Sequence, residues 1–370
     1  MTTTYIQQSK RFVSAAAVFL CAATLPLASI AAGSSTATDK VRFGLPTSMG
    51  ANNAPMAVAV GQGYFRAEGL DVEIIFTGGS APTVQATLSG QIDIGSATVE
   101  PVFQIREQVG KNGKVVLIYN YIRRPTGSIA VLDSSKVQSL ADFKGVVIGD
   151  SSLGSGNLLL ANGILAKAGL QVDKDFSHVA VGTGAAALNA LTTGRVGALS
   201  LWDTEYAAMR AVGTKLRTFS HPDAEKLFST TYYATPGYIE KNGDIVKRFG
   251  RAMAKATYFT SLNPTAALKI MYKAYPQTRT AGQTVEQELK KDLIALNARL
   301  ELLVAGDPMK NRTWGKYEPD AIAEWDRFAV SAKIIKGPMD LTDIYTNKFV
   351  ESYNNFDPAE IERDAKNWKE

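Results

Sequence analysis

The 370-residue sequence predicts an α/β chain with mainly parallel sheets and helices on both faces. Three observations carry this. Short apolar runs of strand length alternate with longer stretches of helical period. The junctions where a strand gives way to a helix are rich in Gly, Ser and Thr. The same arrangement also occurs twice, once over residues 41–105 and again after residue 138.

In the first block, VRFGLPTS alternates and ends at a Pro and two hydroxyl residues, as a strand feeding a loop does. Residues 54–64 are small and apolar, a helix suited to close packing on a sheet. GLDVEIIF is the second strand and closes on TGGSAP, where Gly78 and Gly79 loosen the backbone before Ser80 and Thr83. Residues 84–88 begin another helix, and GQIDIGSATVE is a short strand that turns into a third. Each helix start leaves backbone N–H groups unpaired and carries a partial positive charge, so several starts at one sheet rim favour a bound anion. Ser48, Asn52, Ser80, Ser96 and Thr98 supply short polar side chains along that rim. They either cap the helices, the purely structural alternative, or bond a ligand.

GQGYFRAEGLDVEIIFTGG followed by LSGQIDIGSATVEPV resembles the first lobe of the periplasmic solute-binding proteins of nitrate-, sulfonate- and taurine-type ABC importers. The resemblance continues through SLADFKGVVIGDSSLGSGNLLLANGILAKAGL and GTGAAALNALTTGRVGALSLWDTEYAAM, and covers about residues 41–235. It implies the type 2 periplasmic binding fold of the thiamine-pyrimidine-synthase-like superfamily, with two lobes closing on a ligand by hinge rotation. Its implied partners are a small solute and an inner-membrane permease with its ATPase.

The first residues read as an address. Lys10 and Arg11 precede a nearly uncharged apolar run over residues 12–30, and Ser29 and Ala31 suit a signal-peptide cleavage after residue 31. The run is short for a membrane anchor and contains Pro26. A lipoprotein site would want a small residue before Cys21, where Leu20 stands. Export to the periplasm is therefore expected. Cys21 is the single cysteine, so a processed chain would carry none, which suits an oxidising compartment and removes thiol chemistry. His178 and His221 are the two histidines, too few for a zinc site of the usual kind. Lys10 and Arg11 supply two of the formal +5 charges, and the remaining basic residues are spread along the chain, so nucleic-acid binding is not expected. No heptad run is present, and a monomer is expected.

KVVLIYNY is a further strand, and IRRPTGS after it has the Pro125 and Gly127 of a crossing between lobes. The resulting division is lobe one over residues 40–124 and 231–370, and lobe two over residues 125–230. Arg123 and Arg124 beside the crossing either face the cleft and meet an acidic ligand group or are simply solvated. In lobe two, SLADFKG is a short helix and turn, VVIGD a strand, and SSLGSGN a loop opening the helix LLLANGILAKAG. The loop lacks the Gly-Lys-Ser/Thr ending of a phosphate-binding loop, which leaves a nest of backbone donors with Ser151, Ser152, Ser155 and Asn157 around it. The strand HVAV stops at Gly182, Thr183 and Gly184, and RVGALSLW leaves Trp202, Asp203 and Glu205 at its exit. Trp202 offers a flat platform for an organic ligand, with a core plug as its structural alternative. Tyr232 and Tyr233 lie in a returning strand, so one points into the cleft and its neighbour away. Beyond residue 245 the pattern is helical, with a break at Asn263-Pro264 and further helices over EQELKKDLIALNARLELLV, EPDAIAEWDRFAVSAKIIKG and DIYTNKFVESYN, a shell for lobe one.

The function expected is substrate binding for an ABC importer of a small anionic organic solute: a sulfonate, a taurine-like compound or a carboxylate. Members of the resembling family often carry an aromatic and a Pro where this chain has Asp203, Thr204 and Glu205, which disfavours a bare inorganic anion such as nitrate. No Gly-x-Gly-x-x-Gly pattern with a suitably placed acid occurs, and no cofactor is expected. The alternatives are an enzyme of thiamine-pyrimidine or menaquinone-precursor metabolism on the same scaffold, or a sensory domain. The first wants a Cys/His cluster and the second a helix-turn-helix, and neither is evident.

Overall fold

The computed structural model describes residues 38–110, 114–318 and 320–370; the expected leader, with Cys21, lies outside them. The chain opens with β1 (Asp39–Leu45), in which Val41, Phe43 and Leu45 are buried at alternate positions. Helix α1 (Ala54–Gly61) has Pro55 in its first turn and buries every residue from Ala54 to Ala59. It does not run on to Tyr64 as expected, because Gly63 takes φ 74 and starts a separate short helix, α2 (Tyr64–Ala67). Strand β2 (Leu70–Phe76) pairs in parallel with the whole of β1. Then come α3 (Ser80–Leu88), β3 (Ile94–Ala97), α4 (Val99–Val109) and β4 (Val116–Asn120).

The chain now crosses to a second sheet. It lays down β5 (Gly127–Leu132), a 3-10 turn over Leu140–Phe143, β6 (Val147–Asp150), α5 (Gly156–Lys167), β7 (Ser177–Ala180), α6 (Gly184–Thr192), β8 (Ala198–Trp202), α7 (Asp203–Ala211) and β9 (Leu216–Phe219). Strand β10 (Thr231–Ala234) returns to the first sheet. The two five-stranded sheets have the orders β2-β1-β3-β10-β4 and β7-β6-β8-β5-β9. In the first, β1 is parallel to β2 and β3, and β10 is antiparallel to both its neighbours. In the second, β6 is parallel to β7 and β8, and β5 is antiparallel to both its neighbours. Each sheet thus runs mainly one way, and its reversed strand is the one delivered by a crossing. A chain that leaves one sheet at its C-terminal rim enters the other at the matching rim, so the entering strand must run backwards.

The returning strand separates its two tyrosines by face, as the period of two requires. Tyr232 packs edge-on against Phe43 and Phe249, whereas Tyr233 joins Val84 and Phe103 on the opposite side. The C-terminal part adds α8 (Pro236–Lys241), α9 (Gly243–Leu262), α10 (Pro264–Ala274), α11 (Val285–Leu303), α12 (Ala321–Ser331), α13 (Val350–Tyr353) and α14 (Pro358–Asn367). The break at Asn263-Pro264 stands where the sequence placed it, with Asn263 Oδ1 accepting from Ala266 N at 3.0 Å. The helix expected over residues 343–354 shrinks to α13. Residues upstream of it pair with β4 instead, where Leu117 N donates to Ile344 O and Thr346 N donates to Leu117 O.

The terminal helices are more than a shell for the first sheet. Helix α11 packs along α7, and a Cβ built on Gly163 of α5 would lie 2.9 Å from Ala332 at the end of α12. Among the described residues no helix is long and apolar enough to cross a membrane.

Candidate functional site

A cavity of about 230 Å³ opens where the C-terminal ends of β1, β2 and β3 face those of β6, β7 and β8. Loops leaving parallel strands build the walls, as is usual for ligand sites in α/β sheets. Thr47, Ser48 and Asn52 follow β1; Gly79 and Ser80 follow β2; Ser96 and Thr98 belong to the end of β3. Opposite them stand Ser152, Ser155 and Asn157 after β6, Thr183 after β7 and Trp202 at the end of β8. The two rims touch at several points. Ser152 Oγ donates to Gly78 O at 2.9 Å, and Ala81 N donates to Gly154 O at 3.2 Å. A Cβ on Gly79 would fall 2.8 Å from Gly154 O, so the close approach requires its bare backbone.

The helix starts around the cavity share a feature. Thr98, Ser155 and Thr183 occupy the N-cap positions of α4, α5 and α6 in extended conformation, yet none of their side chains makes a cap bond. Elsewhere in the chain Thr235, Asn263, Thr284 and Asp357 each accept from a backbone N–H of α8, α10, α11 and α14, whereas Asn242 and Asp320 at the starts of α9 and α12 make no cap bond. The Ser155 and Thr183 hydroxyls at the cavity make no other side-chain bond among the described residues, whereas Thr98 Oγ1 is buried beside the Glu100 carboxyl. At the start of α1, Asn53 reaches outward from its helix and donates to Thr47 Oγ1 and Ser48 O.

Charge enters the cavity through one lining residue, Arg299 of α11. Its Nε and Nη2 donate to the two carboxylate oxygens of Asp203 at 2.9 and 2.5 Å, and Nη1 lies 3.4 Å from Asn52 O. Burial opposes the guanidinium charge, but Asp203 more than offsets this, and the pKa of Arg299 is raised. Glu205 accepts from Gly184 N at 2.7 Å, and burial raises its pKa. Behind the wall, Glu100 in the first turn of α4 is buried, its Oε2 has no partner, and burial pushes its pKa up to about 7.

Aromatic rings complete the lining. Tyr121 and Tyr232 are stacked with centroids 4.9 Å apart, and Trp202 closes the far side. Trp202 is 8% exposed and its indole Nε1, a donor only, has no partner.

Ten of the twelve ligand-binding candidates from the sequence line this cavity: Ser48, Asn52, Ser80, Ser96, Thr98, Ser152, Ser155, Thr183, Trp202 and Tyr232. Arg123 does not. Its guanidinium turns to the C-terminal segment, where Nε and Nη1 donate to the carbonyls of Ala305 and Thr313 at 2.8 and 3.0 Å. Asp203 stands behind Arg299 and reaches the site only through it. Arg299 itself and Tyr121 were not singled out by sequence. The available signal was a charged residue on the buried stripe of α11, among Leu296, Leu300 and Leu303. For Tyr121 it was the i, i+2 spacing from Tyr119 in the strand run that ends at the crossing.

Neither His178 nor His221 lines the cavity. His178 Nδ1 is 2.6 Å from the buried Asp150 Oδ2 and its Nε2 is 2.8 Å from Asn162 Oδ1, so the ring braces β6 just before the serine-rich loop. Among the described residues no group of three or more His, Cys, Asp or Glu is placed to hold a metal ion.

The family model described as NMT1/THI5 like matches residues 50–267. A formylaminopyrimidine-binding protein of Halalkalibacterium halodurans is 25% identical over 216 residues, covering 58% of this chain and 64% of that protein, so the match spans just under two thirds of the relative. A solved structure from Bordetella bronchiseptica superposes with a TM-score of 0.68 at 21% identity, covering 86% of this chain and 97% of the other. The periplasmic aliphatic sulphonate binding protein SsuA of Escherichia coli superposes at 0.60 with 19% identity over 82% of this chain and 91% of its own. The fold these share with the chain is that of the periplasmic binding proteins.

Proposed function

This chain belongs to the NMT1/THI5-like family, and from that premise we propose that it is the solute-binding component of an ABC importer, exported to the periplasm, for a small organic anion. The observation that carries the reading is the set of N-cap hydroxyls, Thr98, Ser155 and Thr183, left without a cap bond around one cavity. Helix starts and spare hydroxyls are suited to an acidic head, each start contributing about 0.3–1 kcal/mol when exposed and more when partly buried. Trp202 and the stacked Tyr121 and Tyr232 are suited to the organic part. Of the two named relatives, the one described as binding an aliphatic sulphonate supports the anionic class, and the one described as binding a formylaminopyrimidine supports a small organic solute. A transport role rather than catalysis is supported by the absence of either histidine from the cavity lining. Closure of the two sheets about the crossings at residues 121–126 and 229–231 is part of this reading, as are the membrane permease and its ATPase as partners.

A neutral pyrimidine is the competing occupant, favoured by the aromatic walls. Thermal-shift and titration measurements with organic sulfonates and carboxylates, each beside its uncharged amide, separate the two. Tighter binding of the acids is expected. Equal affinity for acid and amide would leave a neutral solute as the occupant, and no response to any small organic compound would end the solute-binding reading.

A further inference from the structure

We propose that Asp203 sets the charge selectivity of the cavity by cancelling Arg299, so that the site accepts organic monoanions and rejects small divalent oxyanions. This rests on the reading of the cavity as an anion-binding solute site. Arg299 is the one charged residue among those lining the cavity, and it is 5% exposed. Left alone, a buried guanidinium would be the strongest anion receptor in the site, since it offers a bidentate fork in a low-dielectric setting. Asp203 occupies that fork with both carboxylate oxygens. What remains for a ligand is the Nη1 edge, whose contact to Asn52 O at 3.4 Å is too long to be a strong bond.

The local charges follow from this. With the pair formed, the lining carries no net side-chain charge, and the positive potential comes from the helix starts alone, each equivalent to roughly half a charge. That of α6 is already answered by Glu205, which accepts from Gly184 N. The starts of α1, α3 and α5 carry no acidic residue in their first turns, and each offers a ligand only a partial charge. A second charge would need the cation that Asp203 has neutralised. Arg299 lies in α11, outside the family-matched residues 50–267, so this pairing is not set by the matched segment.

The test is titration calorimetry of the full chain with benzenesulfonate and with inorganic sulfate, for the unmodified protein, Asp203→Asn, Arg299→Gln and the double variant. The unmodified chain is expected to prefer benzenesulfonate. Asp203→Asn, which uncovers Arg299, should raise sulfate affinity relative to benzenesulfonate by at least about tenfold. The double variant, neutral again, should restore the original ratio. A merely structural role for the pair would weaken both probes alike and leave the ratio where it was, which overturns the proposal. Should Asp203→Asn fail to fold, Arg299→Gln decides alone: an unanswered carboxylate must depress sulfate binding more than benzenesulfonate binding, and equal losses overturn the proposal. Binding of neither probe by the unmodified chain removes the anionic reading itself, an outcome visible before any variant is made, and this inference falls with it.

Discussion

Gly156 at the start of α5 meets Thr98 at the start of α4 so closely that a methyl group on Gly156 would overlap Thr98 Oγ1. The contact joins the rim of one sheet to the rim of the other beside the cavity. Gly156→Ala should therefore force the rims apart or strain Thr98. The expected loss is about 1–3 kcal/mol, the usual cost of overpacking. Urea denaturation measures it, and ligand titration should show weaker binding as well. An unchanged midpoint together with unchanged affinity would mean that the two helix starts do not pack this way in solution.

Glu100 predicts a pH dependence with a definite sign. Its folded pKa of about 7 stands above the ordinary 4.5, so between these values the native chain holds a proton that the unfolded chain has released. Stability falls as pH rises through that window and is level above it, by an amount on the order of 3 kcal/mol. Asp150 and Glu205, also raised by burial, contribute with the same sign. The difference between the unmodified chain and Glu100→Gln isolates this one residue. The variant should match the unmodified chain near pH 4 and exceed it near pH 8 in denaturation experiments; parallel profiles would exclude Glu100 as the source.

Two substitutions separate the head of the ligand from its organic part. Trp202→Ala should cost an organic anion about 1–3 kcal/mol in binding, as loss of an aromatic contact does. Ser80→Ala should weaken every anionic ligand by about 1.5–3 kcal/mol, the scale of one hydrogen bond to a charged group. Calorimetry of both variants against one organic acid gives the comparison. Unchanged affinity in Trp202→Ala would return that ring to a packing role.

Arg123 supplies a contrast. Its bonds to the Ala305 and Thr313 carbonyls tie the first crossing to the segment after α11. Arg123→Ala should lower stability by about 1–3 kcal/mol, since buried carbonyls lose a charged donor, while ligand affinity stays where it was. A selective loss of affinity would place Arg123 in the binding machinery after all.

The sequence by itself determined the alternation of strands and helices, the two repeated rims and ten of the residues along the cavity. These are local matters: periods of two and 3.6 residues mark the elements, and a helix start is written in the few residues around it. Ser80, Ser96, Ser155 and Trp202 were legible because each stands where a strand ends. Tyr232 was placed on one face and Tyr233 on the other by the same alternation. Tertiary structure decided the rest. Whether Thr98, Ser155 and Thr183 cap their helices or stay free depends on side-chain direction, which spacing does not encode. Arg123 and Arg299 each follow or precede an apolar residue in sequence; one turned to backbone carbonyls and the other into the cavity. Asp203 meets Arg299 across 96 residues of chain. Such a pairing arises from how α11 packs on α7, through many weak contacts summed over the whole fold, and no short window of sequence contains it.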